Sequence, residues 1–153
     1  MKKKRLILGF IIIILTLYLL VSLWLIVSYT NLVKALNASY GMITPETEMY
    51  FTEIGDSYEK TRLASSIGYY YHHFRTGQEY HEKYDIVKDE FCIYFVAHSF
   101  FKARIYYEYS YIAEPKERTE ETPHGHGSYK IPCYVDLKLK GIKWVIVDYH
   151  EAP

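Results

Sequence analysis

A long uncharged stretch dominates the hydrophobic pattern at the start of the chain. The 24 residues from Leu6 to Tyr29 carry no charge, and they follow directly on the basic run Lys2 to Arg5. At about 1.5 Å per residue, a helix of this length reaches roughly 36 Å, which exceeds the roughly 30 Å of hydrocarbon in a bilayer. The pattern therefore predicts a transmembrane helix over residues 6–29.

A cleavable signal peptide is the alternative interpretation of the same stretch, because it too begins with basic residues. Its apolar core should be about 7 to 15 residues long, however, and the observed run is longer, which favours an uncleaved anchor. Four positive charges precede the span and only Lys34 follows closely. The positive-inside rule therefore predicts a cytoplasmic N-terminus at residues 1–5 and an extracytoplasmic remainder.

The residues after the span predict a short stalk and then a helix. Residues 30–43 keep some apolar character, which suits a juxtamembrane stalk. Thr44 is a suitable N-cap and Pro45 suits the first helical position, so a helix is expected to begin there. Apolar residues then recur at spacings of three and four, as on one face of a helix. They are Phe51, Ile54 and Tyr58.

The spacing of the hydrophobic residues changes after a second expected helix. Leu63–Phe74 fits helical spacing and Gly77 supplies a stop signal, which favours a helix, although the aromatic run Tyr69–Tyr71 also suits a strand. The runs Phe91–Val96 and Ala103–Ile112 are rich in β-branched and aromatic residues, with alternation in the second, and both predict strands.

The C-terminal third predicts a loop and a β-hairpin. Residues 114–127 contain prolines, glycines and charges, which is a loop composition. Residues 134–139 alternate cleanly, residues 140–141 form a turn, and residues 143–149 supply the returning strand. Helices followed by an antiparallel sheet indicate an α+β fold, with one extracytoplasmic domain over residues 44–153 whose helices pack on the sheet.

The segment Lys138–Tyr149, and above all its GIKWVIVD sequence, resembles the terminal hairpin of cystatin-like and NTF2-like domains. That resemblance implies a cone-shaped fold in which a helix packs in a curved antiparallel sheet. The group includes enzymes, binding proteins and accessory domains on membrane anchors, so it implies no particular activity. No functional residue is carried over from it.

The charge balance differs between the two ends of the chain. Of the 18 Lys and Arg residues, four precede the apolar span, which leaves 14 against 18 Asp and Glu in the rest. The outer domain is therefore mildly acidic, and nucleic acid is not an expected partner.

Cys92 and Cys133 are the two cysteines, and both fall in the part predicted to be extracytoplasmic. A single disulfide is possible in that compartment. The alternative is two small apolar residues on separate strands, because the sequence does not show whether their Cα atoms lie within bonding range.

Tyrosine is unusually frequent, with 18 in the chain. Tyr107, Tyr109 and Tyr111 alternate along one expected strand, so they project from one face of the sheet. They are a candidate binding surface that could stack on sugar rings or receive a peptide. Burial in the core beneath the helices explains the same pattern.

Candidate catalytic and metal-binding residues lack a recognisable motif. His124 and His126 could share a metal ion, but a stable site requires further ligands and a fixed geometry. Ser99 follows His98 without any nucleophile signature around it. We therefore expect no cofactor, no metal and no catalytic residue.

The sequence as a whole predicts a single-pass protein of the cell membrane with a small non-catalytic binding or accessory domain outside. Its partners are then the lipid bilayer and an unidentified protein or other cell-surface component. Two alternatives stay open. One is a subunit of a membrane complex assembled through the transmembrane helix, and the other is an exported enzyme with an unrecognised site.

Overall fold

The computed structural model describes residues 2–68, 83–119 and 124–151 and has an α+β fold, as expected. Within these residues, two α-helices and a short 3₁₀ helix precede four long strands. The helical elements are α1 (Lys2–Ala38), the 3₁₀ helix (Glu48–Phe51) and α2 (Ser57–Ile67). The strands are β1 (Tyr84–His98), β2 (Lys102–Pro115), β3 (His126–Lys140) and β4 (Lys143–Glu151).

The four strands form one antiparallel sheet in the order β1-β2-β3-β4. Each strand therefore pairs with the next one along the chain, as in a meander. The expected strands and the expected C-terminal hairpin are confirmed, although β1 and β2 are longer than the runs that predicted them. Gly141 in the last turn has a φ of +63°, a conformation that glycine adopts without steric cost.

Helix α1 is continuous and has two parts with different surroundings. It is long and apolar enough to cross a membrane. Its side chains are largely exposed from Leu6 to Trp24, which we call the free half. From Leu25 to Ala38, the docked half, one face is buried against the sheet and α2. The buried residues of this face are Leu25, Tyr29, Leu32, Val33 and Leu36.

The docked half corrects the expectation of a stalk over residues 30–43. Leu32 and Leu36 are almost completely buried, at 1% and 0% exposure. A short apolar helix next to a membrane has the same sequence pattern as a helix that completes a core, and here the sheet supplies the burial. The domain that contains the sheet therefore includes the end of α1.

The chain reverses sharply after α1. Tyr40 and Gly41 both have positive φ values, of 54° and 75°. A Cβ atom on Gly41 would lie 2.9 Å from the Cα atom of Ser65, so the close approach of α2 also requires glycine. This turn brings α2 against the docked half.

The helix expected to begin at Thr44 is wrong in its start and in its type. The amide of Thr44 donates to Oγ1 of Thr47 at 2.9 Å, which closes a local turn instead of opening a helix. Only the 3₁₀ helix follows, and α2 begins later because Asp56 is the better cap. Its Oδ1 accepts the amide hydrogen of Glu59 at 2.8 Å.

The other boundaries also differ from the expected ones. Helix α2 ends at Ile67, where the amide of Gly68 donates to the carbonyl of Ala64 at 2.9 Å. The expected continuation to Phe74 and stop at Gly77 lie outside the described residues. Strand β2 extends to Pro115 and β3 begins at His126, so both occupy parts of the expected loop.

The core lies between the helices and one face of the sheet, which we call the inner face. The docked half, the 3₁₀ helix and α2 all contribute buried apolar side chains. From the sheet, the largest contributors are aromatic or branched residues on alternate positions. They are Ile105, Tyr107, Tyr109, Tyr111, Val135, Leu137, Trp144, Ile146 and Tyr149.

Candidate binding surface

The face of the sheet opposite the helices, the outer face, carries a line of aromatic side chains. Phe95, Tyr106, Tyr134 and His150 stand on β1, β2, β3 and β4, and the register pairs each with the next. Because directly opposed residues project on the same side of a sheet, the four rings form one continuous row across the strands. We call this row the aromatic stripe.

Ring contacts join the stripe along its whole length. The centroid distances are 5.7 Å from Phe95 to Tyr106, 6.0 Å from Tyr106 to Tyr134 and 5.0 Å from Tyr134 to His150. Tyr94 extends it at 6.4 Å from Tyr106. These distances fall within the range of favourable aromatic pairs, so the rings stabilise one another on this face.

The stripe is accessible, particularly at its β1 end. Tyr94 and Phe95 are 57% and 58% exposed, His150 is exposed, and Tyr106 and Tyr134 are half-buried. Large aromatic side chains that stand together on a surface mark sites of interaction more often than single exposed residues do.

An ion pair lies beside the stripe. The guanidinium of Arg104 donates from Nε and Nη2 to the two carboxylate oxygens of Asp136, both at 2.6 Å. Its Cζ atom also lies 4.1 Å from the ring centroid of Tyr134. The guanidinium is charged at any physiological pH, and the hydrogen bonds to Asp136 raise the pKa of Arg104 further. The stripe therefore has a cation held in a fixed position on one ring.

An open groove of about 700 Å³ continues from the ion pair towards the β1–β2 turn. Its lining combines both signs of charge with small side chains. The lining includes Ala97 and His98 on β1, Ser99 in the following turn, Arg104 on β2 and Asp136 on β3. A mixed and open lining of this kind suits contact with a polar macromolecular surface more than enclosure of a small apolar ligand.

The serine and histidine beside the groove do not form a nucleophile and base pair. Nε2 of His98 lies 2.8 Å from Oγ of Ser22 in α1. Oγ of Ser99 accepts the amide hydrogen of Lys102 at 3.2 Å and so shapes the turn. Among residues 2–68, 83–119 and 124–151, no three His, Cys, Asp or Glu side chains are grouped so that they could hold a metal ion.

The buried thiol belongs to a polar cluster inside the core. Sγ of Cys133 lies 3.5 Å from the hydroxyl of Tyr149, which donates to Oε2 of Glu151 at 3.2 Å. Burial raises the pKa of Cys133 to about 11. The thiol is therefore protonated at neutral pH, the opposite of what nucleophilic catalysis requires.

The three tyrosines expected to form a binding surface lie on the other side of the sheet. Tyr107, Tyr109 and Tyr111 are 0%, 5% and 6% exposed and belong to the core, where Tyr107 contacts Tyr29 of the docked half. The correction follows from the alternation of the strand: these residues do share a face, but it is the inner one. The residues that alternate with them along β2 point to the outer face and form the exposed surface.

The disulfide that the sequence left possible is not formed in the structure, in which both cysteines are free. Cys92 is exposed whereas Cys133 is buried on the inner face. Strand β2 separates them, and two strand spacings of about 4.8 Å exceed the Cα separation that a disulfide allows.

The histidines of the chain are distributed over different parts of the structure. His124 is exposed, before the start of β3. His72, His73 and His81 lie outside the described residues. His98 and His150 are the histidines that contribute to the groove and the stripe.

The stripe was missed by reasoning from the sequence, although part of its signal was present. Tyr106 alternates with the tyrosines that were proposed, so it belongs to the opposite face of β2. Its alignment with Tyr134 depends on the β2–β3 register, which includes an irregularity between Tyr109 and Tyr111. No local pattern in the sequence indicates that irregularity.

No protein-family model, no curated protein and no solved structure matches this chain. The resemblance of the C-terminal hairpin to cystatin-like and NTF2-like domains therefore stays a prediction. The function has to be inferred from the geometry of the surface.

Proposed function

We propose that this protein is a single-pass membrane protein whose extracytoplasmic domain binds another protein through the aromatic stripe, without catalysing a reaction. The observation that carries the proposal is the unbroken row from Phe95 to His150 across all four strands. These rings stabilise the sheet through their cross-strand contacts, and they also leave a continuous aromatic surface uncovered on the outer face.

The free half of α1 supports the membrane anchor. Its 19 residues, Leu6–Trp24, reach about 28 Å as a helix, close to the roughly 30 Å of a hydrocarbon core. The basic run Lys2–Arg5 precedes it, which favours a cytoplasmic N-terminus and an extracytoplasmic sheet.

The composition of the stripe favours a protein as the partner. Tyrosine, phenylalanine and arginine are enriched in the centres of protein interfaces, where they form energetic hot spots. Arg104 is already fixed by Asp136, so little side-chain entropy is lost when a partner covers it.

Site-specific photo-crosslinking of the full chain in its native membrane tests this proposal. A photoreactive residue at Phe95 should produce a discrete cross-linked protein. The matched control is the same residue at Ile112, which is 46% exposed but lies further along β2, outside the stripe. Equal cross-linking at both positions would contradict the proposal.

A binding variant makes the same test quantitative. Tyr134→Ala, with the photoreactive residue at Phe95, should reduce the yield of that product by about 10-fold or more, because truncation of a hot-spot aromatic costs about 2 kcal/mol. Tyr129→Ala, an exposed tyrosine at the start of β3, should leave the yield unchanged.

A further inference from the structure

Two turns at one end of the sheet carry large apolar side chains that are highly exposed. Phe100 and Phe101, between β1 and β2, are 79% and 69% exposed, and Ile142, between β3 and β4, is 83% exposed. The amide of Leu139 donates to the carbonyl of Phe101 at 2.9 Å, which holds the two turns side by side. We call Phe100, Phe101 and Ile142 the apolar tips.

The apolar tips lie at the end of the sheet that is attached to the free half of α1. Nε2 of His98 lies 2.8 Å from Oγ of Ser22 and 3.2 Å from the carbonyl oxygen of Tyr18. The His98 ring is stacked on the Tyr18 ring at a centroid distance of 4.0 Å. The end of β1 is therefore fixed beside residues 18–22 of the helix.

This attachment conflicts with a sheet that stays wholly outside the bilayer. If the hydrocarbon ended before Tyr18, the apolar part of the span would be Leu6–Leu17, which reaches only about 18 Å. A bilayer requires about 30 Å, which the full free half up to Trp24 nearly supplies. His98 and the turn that follows it then lie at the depth of the outer leaflet.

We infer that the apolar tips insert into the outer leaflet of the membrane that α1 spans, so that the protein holds the bilayer at two places. This inference rests on the proposed membrane anchor and goes beyond it. The ligand is the acyl-chain and headgroup region of the lipid. Insertion would fix the tilt of the sheet and thus the height at which the stripe is presented.

The polar groups of the first turn are compatible with such an environment. The amide of Ser99 donates to the carbonyl of Lys102 at 2.8 Å, and Oγ of Ser99 accepts the amide hydrogens of Phe101 and Lys102 at 3.4 and 3.2 Å. Backbone groups at membrane depth need partners of this kind within the protein. His98 has its partners on α1.

Lysines surround the apolar tips where a headgroup layer would meet them. Lys102, Lys138, Lys140 and Lys143 occupy the strand ends next to the two turns. Lys140 contacts Glu53 at 2.6 Å and Lys138 contacts it at 3.9 Å, so part of this charge is balanced. Long lysine side chains can cover apolar surface with their stems and place their ammonium groups among lipid phosphates.

Depth-dependent quenching in lipid vesicles tests the inference with the full chain. A Cys92→Ser background removes the exposed thiol, and Phe100→Cys then accepts an environment-sensitive fluorophore. In phosphatidylcholine vesicles that contain acyl-chain nitroxides, this label should be quenched and its emission blue-shifted. The control, Tyr129→Cys, lies on a residue that is 72% exposed near the opposite end of the sheet, and its label should not be quenched.

A third position separates the failure of this inference from the failure of the anchor. A label at Leu15→Cys, in the middle of the free half, must be quenched if α1 spans the bilayer. If the label at Leu15 is quenched but the label at Phe100 is quenched no more than the label at Tyr129, tip insertion alone is overturned. An unquenched Leu15 label would overturn both proposals, and quenching at Leu15 and Phe100 but not at Tyr129 would support both.

Discussion

The two faces of the sheet are built from the same kind of residue and have opposite roles. Tyr107 on the inner face is completely buried beneath the docked half of α1, whereas Tyr106, its neighbour in the chain, is half-exposed on the outer face. On the inner face Tyr107 contacts Tyr29 and Phe91 at 5.4 and 5.1 Å. On the outer face Tyr106 contacts its cross-strand neighbours.

The role of a tyrosine in this sheet depends on whether helices cover its face and not on the composition of that face. Inner rings exclude water from a core that is shared with three helical elements, so their contacts contribute to folding. Outer rings contact one another and Arg104, and they keep exposed surface for a partner. Substitutions on the two faces should therefore separate stability from binding.

The largest difference is expected between Tyr107→Ala and Tyr106→Ala. Truncating the buried ring leaves a cavity, and we expect a loss of about 3 to 5 kcal/mol in the free energy of unfolding. Truncating the half-exposed ring removes cross-strand contacts and should cost about 1 kcal/mol or less. Urea unfolding of the full chain in micelles, followed by near-ultraviolet circular dichroism, measures both. Equal losses would refute the division into two faces.

The two halves of α1 should also differ in how much their residues contribute to stability. Leu36 is 0% exposed and Leu20 is 57% exposed. We expect Leu36→Ala to lower the stability of the outer domain by about 3 kcal/mol, because it opens a cavity between the helix and α2. Leu20→Ala should leave that stability unchanged in the same unfolding measurement. A neutral Leu36→Ala would mean that the docked half is not part of the core.

The docked half explains why the faces could not be assigned from the sequence. Alternation indicated which residues of β2 share a face, and that part is confirmed. It did not indicate which face is covered, because the apolar positions Leu25, Tyr29, Leu32 and Leu36 continue directly from the apolar span. An apolar helix face gives the same pattern whether lipid or protein buries it.

The register of the last hairpin shows a second limit. The turn at Lys140–Gly141 pairs Lys140 with Lys143, and a regular continuation would place Tyr149 opposite Tyr134. A bulge between Asp136 and Leu137 shifts the pairing by one residue, so His150 stands opposite Tyr134 instead. A one-residue shift exchanges the faces, and it places Tyr149 in the core and His150 on the stripe.

An alkaline pH series should sharpen the comparison further. Burial raises the pKa of Tyr149, Tyr109 and Tyr111 above the ordinary value of about 10. The unfolded chain therefore loses these protons first, so the stability is fully present below about pH 10 and falls as the pH rises further.

Tyr149→Phe isolates one of these protons. Each tyrosine that ionises only in the unfolded state contributes a slope of up to about 1.4 kcal/mol per pH unit. The variant should therefore lose stability less steeply between pH 10 and 11 in urea titrations. Slopes that superimpose would show that the Tyr149 hydroxyl is not protected by burial.

The smallest effect on stability is expected from the ion pair of the outer face. Arg104 and Asp136 are 39% and 25% exposed, and ion pairs with this access to water contribute about 1 kcal/mol or less. A double-mutant cycle with Arg104→Gln and Asp136→Asn should therefore give a coupling energy below about 1 kcal/mol. Arg104→Gln should nevertheless reduce cross-linking from Phe95, because the cation on Tyr134 belongs to the surface that the partner covers. A large coupling energy together with unchanged cross-linking would show that the ion pair stabilises the fold and does not contribute to binding. Arg104 would then no longer support a protein as the partner of the stripe.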